Sequence, residues 1–357
     1  MKKFFSVFAL LFVCCFCLVG CGVSGNTSIA AINFSRQIFY VDENCTKNLD
    51  YKVFPSTANN FDILYSQSHQ DFYTLIGGNF TAQEGFNSVQ ITVQAGDITD
   101  SCYVVRKIYP TSTYLTHPSL NGQGVSNPNI VLSAGSSTNL QMFGEFNSYF
   151  NTQTNRIEQY STPSTQIVSN EIFNFDLESS DPTVVEVVDS ETMQIKATGK
   201  AGTATITAYL VDDNGFRKGG SNMRASIDVS VVNPVSSIKV LYGDKFVENS
   251  TGSALTFGSE NTNSVTISLF LIDNQNNFIE NEVALRNISV STLGNNKLTI
   301  SNASVSSVGG VRCLQFTLGL QNMNSGDQTT IYDKILITCN YLQDENFNQV
   351  THLLTLS

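Results

Sequence analysis

The 357-residue sequence has no tryptophan, only three histidines and seven prolines, and few charged residues, which make up 14% of the chain. Histidine is the side chain whose ordinary pKa suits proton transfer near neutral pH, and His69, His117 and His352 are far apart in the sequence. The motifs of zinc proteases, serine hydrolases and phosphate-binding loops are also missing. These absences disfavour catalysis, and the lack of tryptophan disfavours a sugar-binding platform built on indole rings.

The charge balance is acidic. Residues 1–20 hold two of the 19 basic residues and none of the 30 acidic ones, so the rest of the chain has 17 basic residues and a net charge of −13. Binding to nucleic acid needs a basic surface that neutralises phosphates, and this balance therefore argues against a nucleic-acid partner. No cofactor-binding motif occurs, and we predict no cofactor.

One short acidic motif has the residue types of a calcium site. Asp212, Asp213, Asn214 and Gly215 offer oxygen ligands, which Ca²⁺ prefers. The motif lacks the 12-residue spacing and the terminal glutamate of a calcium-binding loop. A hairpin turn is the favoured interpretation, and we predict no metal site.

The amino terminus begins with Lys2 and Lys3, followed by an apolar run from Phe4 to Val19. Basic residues before an apolar stretch that ends in small residues indicate a secretory signal peptide over residues 1–20. The run is shorter than the ~20 residues that a helix needs to cross a bilayer. No other apolar run approaches the length of a membrane span.

The tetrapeptide that closes this run, LVGC at positions 18–21, resembles a bacterial lipobox. The resemblance implies that the Cys21 thiol receives a diacylglycerol, with residues 22–27 as a flexible tether. The membrane would then be a partner through the lipid anchor, in the bacterial cell envelope and facing outside the cytoplasm. The alternative is an ordinary signal peptide with an incidental cysteine, since cysteines also occur at positions 14, 15 and 17.

Residues 178–211 alternate apolar and polar side chains. The apolar positions are Val185, Val187, Met193, Ile195, Ala197, Ala204, Ile206 and Ala208. A period of two predicts strands with one buried and one solvated face, and Asp181-Pro182 and residues 199–202 supply turns. No run of helical length with a 3.6-residue period occurs outside the signal, so we predict an all-β fold.

The same stretch resembles the bacterial immunoglobulin-like domain of group 2. The residues that carry the resemblance are Ser179, Ser180, Asp181, Pro182, Val185, Val187, Ile195, Ala197, Gly199, Gly202, Ala204, Ile206, Thr207 and Ala208. The resemblance implies a small β-sandwich that serves as a spacer or adhesion module on bacterial surfaces. It implies no catalytic residues.

A repeated spacing extends this interpretation to other parts of the chain. Ala82 precedes Ile91 by nine residues, and Ala197 precedes Ile206 by the same interval. Shared spacing is typical of repeated modules. We predict tandem immunoglobulin-like β-sandwich domains over residues 28–108, 111–232 and 234–357. The third domain lacks the motif, and its assignment depends on a run of seven predicted strands.

The second predicted domain contains a long polar insertion at residues 144–170. Phe146, Tyr149, Phe150 and Tyr160 lie in it among asparagine, glutamine, serine and threonine. Loops longer than 12–15 residues in a compact domain tend to be functional or disordered, so these four aromatic residues are the candidate contact loop. The alternatives are an irregular insertion or one that packs against a neighbouring domain.

Four cysteines follow Cys21. Export permits disulfides, and the first and last strands of an immunoglobulin-like sandwich run side by side, so Cys45 and Cys102 are a possible pair. A Cys313–Cys339 pair is less favoured, because the alternation predicts an outward side chain for Cys313 and a core-facing one for Cys339. The alternative to this pair is two free thiols, one buried and one exposed.

These observations predict a membrane-anchored bacterial surface lipoprotein that acts in adhesion, binding or spacing and is not an enzyme. Its partner would be a surface protein or glycan. The alternative is a ligand- or glycan-binding lipoprotein subunit of an uptake or polysaccharide-processing system, which would need a deep pocket and exposed aromatic residues.

Overall fold

A computed structural model describes residues 28–58, 62–67, 72–120, 128–243, 245–247, 264–293, 298–320, 334–346 and 348–355. The predicted signal peptide (1–20), Cys21 and the tether to residue 27 lie outside these residues, and so does His69. The fold is all-β, as predicted, and consists of tandem immunoglobulin-like sandwiches. The chain forms two compact units. Unit 1 extends to Arg106 and includes Phe150–Arg156, and unit 2 comprises Lys107–Tyr149 and Ile157–Ser357.

The first sandwich lies in unit 1. Its strands are β1 (Ala31–Phe34), β2 (Ile38–Val41), β3 (Thr46–Asn48), β4 (Tyr51–Phe54), β5 (Ile63–Gln67), β6 (Tyr73–Ile76), β7 (Asn79–Ala82), β8 (Ser88–Ala95) and β9 (Ile98–Arg106). One sheet has the order β2-β9-β8-β5 and the other β3-β7-β6, while β1 pairs with β4. Phe39, Phe80, Ile91 and Val104 are among the buried side chains that both sheets contribute to one core.

The second sandwich begins unit 2. Its strands are β10 (Ser112–Thr116), β11 (Asn129–Ser133), β12 (Ser137–Asn139), β13 (Gln141–Asn151), β14 (Arg156–Ile167), β15 (Asn174–Ser179), β16 (Val185–Asp189), β17 (Gln194–Ala197), β18 (Gly202–Val211) and β19 (Arg224–Val232). Two short 3-10 helices, Pro118–Leu120 and Ser221–Met223, connect them. The sheets have the orders β11-β19-β18-β15, β12-β17-β16 and β10-β13-β14.

The first two sandwiches share one topology. In each, an early strand pairs in parallel with the last one, β2 with β9 and β11 with β19. The remaining pairs correspond strand by strand, with β1-β4 matching β10-β13. Ala82 and Ala197 end the equivalent strands β7 and β17, and Ile91 and Ile206 lie in the equivalent strands β8 and β18. The nine-residue spacing in the sequence therefore marks equivalent positions, and only β14 has no counterpart among the described strands of the first sandwich.

The third sandwich completes unit 2. Its elements are β20 (Val235–Tyr242), β21 (Lys245–Val247), β22 (Ser264–Asp273), β23 (Phe278–Ile279), helix α1 (Glu282–Arg286), β24 (Ile288–Leu293), β25 (Leu298–Val308), β26 (Val311–Leu320), β27 (Lys334–Gln343) and β28 (Gln349–Thr355). The sheet β21-β20-β22-β26-β25 packs against β24-β27-β28 over Leu269, Phe316 and Ile337. Helix α1 begins where the Asn281 side chain accepts a hydrogen bond from the Ala284 backbone nitrogen, as an N-cap residue does.

Three hairpin turns in unit 2 have the same aspartate geometry. Asp212, Asp273 and Asp344 each accept hydrogen bonds on Oδ1 from the backbone nitrogens two and four residues later. The backbone nitrogen of each aspartate also donates to the carbonyl four residues later. The hairpin-turn interpretation of residues 212–215 is therefore confirmed, since this carboxylate satisfies backbone donors of the turn.

No disulfide joins Cys45 to Cys102, and the predicted pairing is corrected. Strand β9 lies between β2 and β8, and Ile38 of β2 lies opposite Tyr103. Cys45 comes after β2 has ended and leads into β3, which pairs with β7 in the other sheet. Both cysteines are buried, and burial raises the pKa of the Cys102 thiol to about 12.

The two cysteines of the third sandwich are both buried. Cys339 belongs to the core, as the alternation predicted, and burial raises the pKa of its thiol to about 12. The expectation that Cys313 is exposed is wrong, because its side chain lies beside Ser268 of the neighbouring strand β22. The alternation of side chains along β26 identified the face on which Cys313 lies, but it could not show that neighbouring residues cover this face.

His117 is buried in unit 2 with both ring nitrogens engaged. The Ser119 backbone nitrogen donates to Nδ1 at 3.1 Å, so Nε2 carries the proton and donates to Thr138 Oγ1 at 2.9 Å. The ring edge also meets the Tyr341 ring, with 5.3 Å between centroids. Burial lowers the pKa of His117 from 6.5 to about 4, since a charged imidazolium would lose its hydration there.

We expect this histidine to make folding sensitive to mild acid. Because its pKa is lower in the folded chain, its contribution is complete above pH 6.5 and is lost as the pH falls from 6.5 to about 4. The lost free energy of unfolding approaches ~3 kcal/mol. Urea unfolding of the wild type and of His117→Gln between pH 7.5 and 4 measures it, and the difference between the two profiles removes the titration of all other groups. If the free energy of unfolding changes with pH in the same way for both proteins, the expectation is contradicted.

Candidate contact surface on an inserted hairpin

The long polar insertion predicted at residues 144–170 is mainly a β-hairpin, which corrects its interpretation as a loop. Strand β13 pairs with β10 on one side and with β14 on the other. Met142, Gly144 and Phe146 alternate on the buried face of β13, and the positions between them, Phe143 and Glu145, are only partly buried. The low hydrophobicity that suggested a loop reflects a strand that buries only one of its faces.

Phe146 is not a contact residue, which corrects its assignment to the candidate contact loop. Its side chain is only 8% exposed and belongs to the core of the second sandwich. Its ring centroid lies 6.3 Å from that of Phe173. A Cβ atom built on Gly144 would come within 3.2 Å of the Phe146 ring and 2.7 Å of Pro110, so this core leaves no space for a side chain at position 144.

Phe150 lies in a different environment from the other three aromatic residues. The tip of the hairpin, Phe150–Arg156, belongs to unit 1. The Phe150 ring packs edge-on against Tyr103 of β9, with 5.4 Å between centroids. Nearby, the Ser88 hydroxyl donates to the Asn155 carbonyl at 3.1 Å. The Phe150 ring therefore packs within unit 1 and is not part of the surface that the other residues form.

Tyr149 and Tyr160 form a half-buried ring pair with polar partners. Their centroids are 4.7 Å apart. The Tyr149 hydroxyl donates to Glu158 Oε2 at 3.1 Å, and Gln166 Nε2 donates to the Tyr160 hydroxyl at 2.8 Å. Tyr160 also packs against the core of the second sandwich. Core packing and hydrogen bonds to the two hydroxyls therefore fix the position of this ring pair.

A second aromatic pair, which the sequence did not indicate, lies across strands β10 and β13. Tyr114 and Phe143 face each other in the register, and their rings are nearly parallel with centroids 5.5 Å apart. At the next pair along the same face, the Ser112 hydroxyl donates to Glu145 Oε2 at 3.2 Å. No local pattern could have revealed this pair, because it depends on which strands are neighbours.

Four aromatic residues, Phe143, Tyr149 and Tyr160 of the β13–β14 hairpin and Tyr114 of the adjacent strand β10, are named the aromatic hairpin. They have the chemistry of a recognition surface. Tyrosine offers a large rigid contact area with few rotatable bonds and a hydroxyl for hydrogen bonding. The carboxylate of Glu145 accepts a hydrogen bond from the Ser112 hydroxyl of β10, and that of Glu158 accepts one from the Tyr149 hydroxyl. Aromatic rings with fixed polar neighbours can bind a partner by stacking and hydrogen bonding without any bond being made.

A shallow cavity of about 280 Å³ lies beside the hairpin. Its wall includes Met142, Ile167, Phe175 and Met193, and Glu191 is the only ionisable side chain among its lining residues. General acid–base catalysis needs a positioned pair of proton donor and acceptor. The cavity therefore offers apolar contact area and does not offer such a pair.

The described residues contain neither a cluster of metal ligands nor a membrane-spanning helix. No group of three histidine, cysteine, aspartate or glutamate side chains in this part of the chain is placed to hold a metal ion. No helix among the same residues has both the length and the apolar character that crossing a membrane requires.

No protein-family model and no curated protein matches the chain. Among solved structures it is similar to domains 4–9 of the surface-layer protein SbsC, with 10% identity, a TM-score of 0.22, and coverage of 93% of this chain and 48% of that one. It is also similar to an endo-fucoidan hydrolase of glycoside hydrolase family 107 (13% identity, TM-score 0.30, covering 92% and 44%). A third is invasin, a bacterial integrin-binding protein (11% identity, TM-score 0.22, covering 83% and 52%). The chain thus spans about half the length of these proteins, and none of the values supports a transfer of function.

Proposed function

We propose that the chain is a lipid-anchored protein of the bacterial cell surface whose tandem immunoglobulin-like domains act in adhesion, binding or spacing without catalysis. The observation that carries the binding role is the inserted strand β14, which the otherwise equivalent first sandwich lacks among its described strands. Together with β13 it supplies three of the four rings of the aromatic hairpin. An addition to a repeated scaffold is where a specific contact is expected.

The rest of the proposal depends on sequence motifs. The LVGC tetrapeptide supports a lipid on Cys21, and the stretch from Ser179 to Ala208 supports a group 2 bacterial immunoglobulin-like domain as the second sandwich. A lipid on Cys21 would place the protein in the bacterial cell envelope, outside the cytoplasm. A surface protein or a glycan is the proposed partner.

A second candidate is a glycan-binding lipoprotein subunit of an uptake or polysaccharide-processing system. The ring pair Tyr149–Tyr160 favours it, because Glu158 and Gln166 hydrogen-bond to the ring hydroxyls and could do the same for sugar hydroxyls. The shallow cavity and the absence of tryptophan count against a deep sugar site.

Binding screens separate the two candidates. We expect residues 22–357 to bind a protein or glycan on an array of bacterial and host surface molecules. We further expect Tyr149→Ala with Tyr160→Ala to weaken that binding at least ~30-fold, as loss of an aromatic anchor does. Phe216→Ala is the control, since Phe216 is an exposed aromatic residue on a turn of the same sandwich. Equal binding by all three proteins would remove the aromatic hairpin from the proposal.

A further inference from the structure

Three large apolar side chains of the first sandwich point into solvent from strands near one end. Phe54 is 64% exposed, Leu64 is 60% exposed and Ile76 is 76% exposed. Folding leaves these side chains uncovered although the core of the same sandwich is well packed. These three side chains are named the apolar end of the first sandwich.

The strand register shows that the chain enters the sandwich beside Phe54. Ala31, the first residue of β1, lies opposite Phe54, the last residue of β4. The Ala30 nitrogen donates to the Phe54 carbonyl at 2.8 Å. The chain therefore enters β1 beside the backbone of this exposed phenylalanine.

The other two residues lie toward the same end. Leu64 pairs with Gln94, one residue before β8 ends at the turn into β9. The Phe34 nitrogen donates to Asp100 Oδ2 at 2.7 Å, so the start of β1, three residues earlier, lies level with that turn. Ile76 ends β6 opposite Asn79.

Asn79 in turn lies opposite Asn48, the last residue of β3, and the chain continues from there into β4 toward Phe54. Ile76 is therefore on the Phe54 side of its sheet. The chain leaves the sandwich at the opposite end, because β9 runs from the turn at Gly96 to Arg106.

The distance from the anchor is short. Six residues lie between Cys21 and Ser28, and the seven steps from one to the other span at most ~25 Å in a fully extended chain. A lipid on Cys21 would therefore keep the apolar end close to the bilayer surface. We propose that the apolar end rests on that bilayer, with Phe54, Leu64 and Ile76 contacting the boundary between headgroups and acyl chains; this depends on the proposed lipid anchor.

The charges at this end favour contact through apolar side chains. Exposed Lys52 is accompanied by exposed Asp62 and Asp97, so the described residues at this end form no basic cluster of the kind that binds anionic headgroups. Apolar side chains at a membrane surface enter the headgroup–acyl boundary, and an acyl anchor adds to this contact. A zwitterionic phosphatidylcholine surface is therefore the appropriate probe.

The absence of tryptophan gives a direct test. Phe54→Trp in the full-length lipidated protein creates a single tryptophan at the apolar end, and Ile76→Trp creates a second probe there. The matched control is Phe72→Trp, which is 52% exposed in the same sandwich but lies at the other end of β6, where its carbonyl accepts from the Gln83 nitrogen. Each protein is reconstituted in phosphatidylcholine vesicles with brominated acyl chains, and its fluorescence is compared with that in unbrominated vesicles.

We expect tryptophan at positions 54 and 76 to be quenched several-fold more strongly than tryptophan at position 72. If all three proteins float with the vesicles but are quenched equally, the contact is overturned and the anchor stands. If the proteins do not float with the vesicles, the anchor and the contact are both overturned. Circular dichroism of each variant establishes that it is folded as the wild type is.

Discussion

Replacing Lys107 by methionine is expected to lower the free energy of unfolding by about 3–5 kcal/mol. Lys107 Nζ lies 2.7 Å from Asp213 Oδ1, and the two side chains are only 1% and 6% exposed. Methionine keeps most of the side-chain length but removes the ammonium, so a buried carboxylate loses the opposite charge beside it. The pair also connects residues 106 positions apart, and urea unfolding at pH 7 measures its effect.

Two further variants identify the cause of the loss. Lys107→Met combined with Asp213→Leu is expected to recover most of the stability, since a buried ion pair replaced by apolar side chains is often neutral. Lys196→Met is the control in the same unit, because Lys196 and Glu186 form an exposed pair at 3.4 Å. That variant should change stability by less than about 1 kcal/mol. Equal losses for Lys107→Met and Lys196→Met would contradict the role of burial.

Replacing Cys21 by serine is expected to abolish acylation of the protein completely. The serine hydroxyl cannot form the thioether that a lipidated cysteine carries, so labelled palmitate should be incorporated by the wild type and not by Cys21→Ser. Intact mass should show a wild-type chain that starts at residue 21 and a variant that does not. Since two acyl chains are needed for stable anchoring, this substitution removes the anchor that the proposed function requires.

Cys17→Ser is the matched control for this prediction. Cys17 lies four residues before Cys21 within the predicted signal peptide, and its loss should leave palmitate incorporation unchanged. Label that persists in Cys21→Ser would show that another residue carries the lipid, and absence of label in the wild type would favour an ordinary signal peptide.

The strands were predictable where alternation is regular on one face. Val185, Ile195 and Ile206 are all buried in the second sandwich, and each was identified by a period of two in the sequence. Strand β14 was missed because most of its residues are polar and at least partly exposed. A strand that buries little apolar surface resembles a loop in composition, and its partner strand must be known before it can be recognised.

The candidate contact surface was predictable only in part. Tyr149 and Tyr160 do form a ring pair, but Phe146 is in the core and Phe150 packs on Tyr103. The pair Tyr114–Phe143 joins strands that are distant in sequence. Side-chain composition can indicate that an aromatic surface exists, whereas its members are decided by long-range pairing and by which face each strand buries.

The parallel pairing of β2 with β9, and of β11 with β19, has a mechanical consequence. Tension along the chain pulls these neighbouring strands in opposite directions along their own axes. The evenly spaced backbone hydrogen bonds of a parallel pair then carry the load together and cannot open one after another. A domain built in this way is expected to resist stretching more strongly than one whose terminal strands separate bond by bond, which would suit the proposed anchoring of one end at a membrane.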